Sequence, residues 1–258
     1  MPPQMNAHSP VKSNQLRDHN EYPMARRMVI LLLLALLVVK TIATLPWIGP
    51  LAVTAVAALQ LYWPILRAEK LGYPYAWLGI KKNEMPQDIK IVAILCLITF
   101  PLYGLGVHYY MTEAYGWFSF PELTTSLPHK TFAPMESQKW SNLWTGALWL
   151  GEISLIHMLG VALPEEMFYR GYLQPQMEKR FSKSGTLFGV PFGSGTIITS
   201  ALFALGHFVG EWNPLRLTPF FPSLIFAWQR NRHNSIVGAI VYHGLCNIYG
   251  EILFSLYV

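Results

Sequence analysis

Two adjacent glutamates, Glu165 and Glu166, close an apolar run, and Arg170 follows one helical turn later. His207 and His243 each sit in a later apolar run, with Asn247 one turn past the second histidine. Ionisable groups at membrane depth are costly and are tolerated mainly where they pair or do chemistry. A carboxylate, two imidazoles and a carboxamide can activate a water and hold a developing oxyanion. On a helix Glu166 and Arg170 are an i,i+4 pair, which keeps the Glu166 carboxylate ionised and fixed. Glu165 then points about 100° away and is free to face a cavity as a base. Two histidines and a glutamate can equally ligate zinc. HExxH is absent, and the residues alone leave both chemistries open.

The elements that must position these groups are membrane helices. With 52% hydrophobic and only 13% charged residues and a mean hydropathy of +0.30, the composition is that of a polytopic membrane protein. About 20 apolar residues cross a bilayer core, and the candidate spans are 28–46, 50–67, 89–109, 141–163, 195–212, 215–230 and 234–257. The expected fold is an all-α polytopic membrane helical bundle of about seven or eight transmembrane helices. Residues 1–25 are polar and read as a disordered cytoplasmic tail, leaving 26–258 as one integral-membrane domain with its motif-bearing core at 141–257. Pro46 to Pro50 suits a tight hairpin, 110–140 is the longest loop, and the short, Pro-containing sixth span invites a broken or re-entrant helix. Cys96 and Cys246 lie in apolar spans, which argues against a disulfide framework or a Cys-based zinc site.

Charge and depth add two constraints. If seven spans alternate, the basic residues before span one, between spans two and three, after span four and after span six share one side. The other side receives only Lys130, Lys139 and Arg216. The positive-inside rule then makes the N-terminus cytoplasmic, and the basic excess is a topology signal, with no nucleic-acid partner implied. Counting helical rise from the cytoplasmic ends puts Glu165, His207, His243 and Asn247 at roughly 22, 18, 14 and 20 Å. Four polar groups from three spans therefore reach a similar level.

The same residues carry a resemblance. EEMFYR at 165–170 resembles the EExxxR motif of the CAAX protease and bacteriocin-processing (CPBP) family of intramembrane endopeptidases. FALGH at 203–207 is similar to that family's FxxxH, and HGLCN at 243–247 to its HxxxN. The resemblance covers about residues 141–257. It implies an endopeptidase acting on a membrane-anchored or membrane-inserted protein or peptide, in which Glu165 and His207 activate water. His243 and Asn247 would stabilise the oxyanion, and Glu166 and Arg170 would support. The resemblance also allows zinc dependence, in which case Glu165, His207 and His243 would hold the metal; the mechanism expected here is the metal-free glutamate one. A bacterial inner membrane is the expected location.

Blander readings stand beside these. Glu165, Glu166 and Arg170 could form an ion-pair knot between helices, and His207 and Asn247 could be interhelical donors. Glu152, His157 and Glu251 are expected to pair locally or line a wet cavity, and Lys40 to snorkel. Gly193-Ser194-Gly195 suggests a serine nucleophile but lies at the wrong depth. Two rival functions use the same polar groups. One is a non-catalytic bacteriocin-immunity or scaffold protein that binds a partner in the pocket. The other is a proton-coupled transporter, disfavoured because no internal repeat is found.

Overall fold

Long runs of Leu, Ile and Val build helices here because a backbone in hydrocarbon must bond to itself. The computed structural model describes residues 20–43, 45–81, 85–114, 131–133, 138–181 and 185–257. Among them stand seven helices: α1 (Tyr22–Ile42), α2 (Ile48–Lys70), α3 (Met85–Tyr109), α4 (Leu143–Arg180), α5 (Ser194–Phe208), α6 (Phe220–His233) and α7 (Val237–Phe254). The fold is an all-α bundle. Four helices, α2, α3, α4 and α7, are long and apolar enough to cross a membrane. Leu97, Leu102, Leu105, Leu143 and Trp144 stand exposed on α3 and α4, as side chains meeting lipid should.

Several boundaries differ from the sequence reading. Helix α1 begins at Tyr22, so residues 22–25 of the expected tail are helical, with Ala25 fully buried. Residues 1–19 of that tail, with Lys12 and Arg17, lie outside the described residues, as do Lys82, Lys130 and Lys183 from the charge argument. Most of the expected 110–140 loop also lies outside them, but 110–114 continues α3 as a π turn. The sixth span is the 14-residue α6, roughly 21 Å long against a hydrocarbon core of about 30 Å. The tight α1–α2 connection holds: a Cβ on Gly49 would meet the Ala43 carbonyl oxygen at 2.1 Å.

Helix α4 continues span four towards the cytoplasm as the sequence suggests, and the departure lies in its winding. Span four runs on past residue 163 as one helix to Arg180, with π stretches at Ile156–Ala162 and Met167–Leu173. Each stretch ends two residues before a proline, Pro164 and Pro175. A helical proline lacks an N–H and clashes with the carbonyl four residues back. Widening the turn relieves both: Leu163 N–H donates to Met158 O and Gln174 N–H to Tyr169 O, each five residues back. π-Bulges of this kind concentrate at functional sites.

The helix is fixed by what surrounds it. Phe168, Tyr169 and Tyr172 from α4 share one core with Phe203 of α5, Phe226 of α6 and Tyr242 of α7. Their rings meet edge to face at Tyr169–Phe203, Phe203–Phe226 and Phe226–Tyr242. A two-stranded antiparallel hairpin, β1 (Gly185–Leu187) and β2 (Val190–Phe192), joins α4 to α5 through Phe188 and Gly189, both at positive φ as its two-residue turn requires. Ser194 opens α5 against the polar end of α4, where Gly195 allows the close approach. A Cβ there would sit 2.6 Å from the Glu178 Cα. Gly195→Ala is therefore expected to cost about 1–3 kcal/mol through overpacking, read as a lowered unfolding midpoint in detergent.

Candidate active site

The carboxylate of Glu166 is the hub. Arg170 Nη1 donates to its Oε1 at 3.1 Å, and His243 Nδ1 donates to the same oxygen at 2.8 Å. Glu166 and Arg170 are wholly buried, and His243 nearly so. The i,i+4 pair expected from the sequence is thus present, with His243 as a third member that the sequence reading did not assign to it. The Arg170 Nη2 then donates to Ser223 Oγ (2.6 Å) and Ser223 O (3.1 Å), which binds α6 to the same group. The Arg170 guanidinium also lies over the Phe203 ring at 4.6 Å and the Phe226 ring at 5.2 Å, a desolvated cation–π setting. A charge this deep is stable only when paired and bonded on several sides.

Glu165 makes no hydrogen bond among the described residues, although the Oε2 of Glu166 is likewise buried without a partner. The Glu165 Oε2 lies 3.8 Å from His243 Nε2, within ion-pair range but too long for a hydrogen bond, and that oxygen is buried without a hydrogen-bond partner among the described residues. Glu165 lines a cavity of about 160 Å³ together with Gln60, Tyr169, Phe203 and His207. His207 Nδ1 donates to Phe203 O at 3.0 Å. In the neutral imidazole this bond places the proton on Nδ1 and leaves Nε2 as an acceptor. The structure brings Glu165 to His207 through the cavity and to His243 by direct approach. Asn247 is half-buried one turn along α7 but does not line this cavity, and its carboxamide makes no hydrogen bond among the described residues.

The cavity rim is ionic. Lys40 Nζ pairs with Glu211 Oε1 at 3.0 Å and also donates to His207 O, while Arg216 Nε donates to Glu211 Oε2. Lys40 therefore does not snorkel; it clamps the end of α1 to the end of α5. Burial pushes the Glu211 carboxyl up, but its bonds to Arg216 and Lys40 outweigh this and hold the pKa below the ordinary carboxylate value.

Other polar groups fall into place. His157 Nε2 approaches Glu251 Oε1 at 3.8 Å, whereas Glu152 is exposed and pairs with nothing among the described residues. Asp88, buried at the start of α3, accepts from His233 Nδ1 (2.6 Å) and Ser235 Oγ (2.7 Å). That is a brace between α3 and the α6–α7 turn. It is no nucleophilic triad, because the serine hydroxyl is spent on the carboxylate and does not reach the imidazole. Among the described residues no group of three His, Cys, Asp or Glu side chains is placed to hold a metal ion.

Removing the hub should cost more than removing the orphan. Glu166→Ala leaves Arg170 buried without its carboxylate and is expected to cost about 3–5 kcal/mol, with Glu165→Ala nearer neutral in the same unfolding assay. The rim adds a pH-dependent part. A depressed folded-state pKa means the Glu211 contribution is full above the ordinary carboxylate pKa and is lost as pH falls through the folded value. Glu211→Gln should therefore lower stability by under about 1 kcal/mol at neutral pH, and its unfolding midpoint should converge on the wild-type value in acid.

No curated protein and no solved structure matches the chain. Residues 139–249 match the family model described as type II CAAX prenyl endopeptidase Rce1-like. This is a protease family, and the matched segment contains EEMFYR, FALGH and HGLCN. The motif-bearing part of the chain is thus similar to Rce1-like endopeptidases, in agreement with the CPBP resemblance that those three motifs carry.

Proposed function

We propose that the protein is an intramembrane endopeptidase that hydrolyses a peptide bond of a membrane-anchored or membrane-inserted protein. The observation that carries this reading is the division of labour between the two glutamates. Glu166 is committed to Arg170 and His243, whereas Glu165 faces a cavity beside an imidazole whose Nε2 can accept. Glu165 and His207 take the proton from a water as its oxygen attacks the scissile carbonyl carbon. The proton passes to the leaving nitrogen as the C–N bond breaks, giving a carboxyl and an amine end. His243 can donate from Nε2 to the oxyanion when both ring nitrogens carry protons, with Asn247, one turn further along α7, as the second donor. Donors held in a dry cavity stabilise developing charge far better than water does. The chelator arm of the experiment below decides whether a metal takes part.

The bundle, the apolar spans and the family match suit an integral membrane protein whose substrate reaches it through lipid. The basic ends of α1, α2, α4 and α6 support a cytoplasmic N-terminus, in a bacterial inner membrane. The second reading, a non-catalytic immunity or scaffold protein, is favoured by the same cavity, which could hold a partner without cutting it.

Purified protein in liposomes, incubated with host membrane extract, separates these readings when new protein termini are scored by mass spectrometry. Glu165→Ala is expected to lower their rate of appearance by about 10²–10⁴-fold, and a zinc chelator to leave wild-type termini in place. Equal termini from wild type and Glu165→Ala would support the binding reading instead.

A further inference from the structure

The second helix adds a residue with a carboxamide to the cavity of Glu165 and His207. Gln60 lies in the middle of α2, 5% exposed, and lines the same 160 Å³ cavity. Its side chain makes no hydrogen bond among the described residues. The hydroxyl of Thr54, by contrast, is satisfied by Pro50 O within the helix. A carboxamide in an apolar span has a strong demand for partners, two N–H donors and a carbonyl acceptor. Polar side chains at this depth normally bond across to a neighbouring helix. Gln60 instead lines the cavity that Glu165 and His207 share. It also lies outside residues 139–249, so the Rce1-like match does not account for it.

From this juxtaposition we infer that Gln60 is a substrate-binding residue, which hydrogen-bonds the backbone of the peptide at the bond to be cut. The inference rests on the proteolytic reading above. A carboxamide is the chemical twin of a peptide unit, with one face that donates to a carbonyl oxygen and one that accepts from an N–H. It can therefore hold an extended chain at two points, as a neighbouring strand would, without reading any side chain. The amide aligned by Gln60 presents its carbonyl carbon to the water between Glu165 and His207. Alignment of this sort carries much of the advantage of a bound over a free reactant.

The test compares wild type, Glu165→Ala and Gln60→Met in liposomes with the host membrane extract, scoring termini over time. Methionine keeps the length and unbranched shape of glutamine and removes its hydrogen bonds. Gln60→Met is expected to slow the Glu165-dependent termini about tenfold and to scatter the cut over neighbouring bonds, with an unchanged unfolding midpoint. Wild-type rate and wild-type bonds in Gln60→Met, with Glu165→Ala inactive, would overturn the role of Gln60 and leave the proteolytic reading intact. A lowered midpoint with uniform loss at unchanged bonds would make Gln60 structural and also overturn it. Identical termini in wild type and Glu165→Ala would sink the proteolytic reading, and the role of Gln60 with it.

Discussion

One oxygen atom organises the bundle. Glu166 Oε1 receives both Arg170 and His243, and Arg170 goes on to Ser223. Three helices, α4, α6 and α7, are thereby tied at one point in an interior where apolar packing alone sets no unique rotation. Lipid tails are as apolar as leucine, so association of helices in a membrane gains little from the hydrophobic effect. A buried charge cluster supplies the missing specificity because each wrong rotation strands a charge. The aromatic rings around it, Phe203 and Phe226 above all, exclude solvent and lend their faces to the guanidinium.

This anchoring leaves the neighbouring carboxylate uncommitted. Glu165 and Glu166 are adjacent in sequence yet differ completely in surroundings, as the geometry of a helix dictates: successive side chains diverge by about 100°. One gives its Oε1 to a cation and an imidazole, and the other makes no hydrogen bond among the described residues and lines the cavity. Placing two carboxylates so close would be costly if both met the same environment. The fold separates their roles by assigning one to architecture and one to the cavity.

The sequence made the local parts of this arrangement legible and hid the non-local ones. The Glu166–Arg170 pair follows from spacing alone, and the apolar runs announce the bundle. The link from Glu166 to His243 was hidden because the two π stretches shift the register of α4, and hydropathy has no signature for an extra residue per turn. Pro164 and Pro175 were the available signals, since each closes a widened stretch. Lys40 looked like a residue reaching for the interface because its partner, Glu211, stands far along the chain. Gln60 passed unnoticed as a single amide in an apolar helix, and only the cavity shared with Glu165 gives it meaning. For Asn247, rise along a helix gives level and not facing: it lies one turn past His243 on α7 and is not among the residues that line the cavity.

The unbroken length of α4 has a consequence for how a bond would be selected. Its 38 residues extend roughly 57 Å at helical rise, about twice the hydrocarbon thickness, and ordinary tilts cannot absorb the excess. The end carrying Gln176, Glu178, Lys179 and Arg180 then stands among the head groups, with Glu165 some four turns below on the same helix. Such a helix is a depth gauge. In the proposed reaction the bond that breaks would be whichever one a substrate's own anchor suspends at that level, so a lengthened or shortened tether would move the cut without any change in the residues around it.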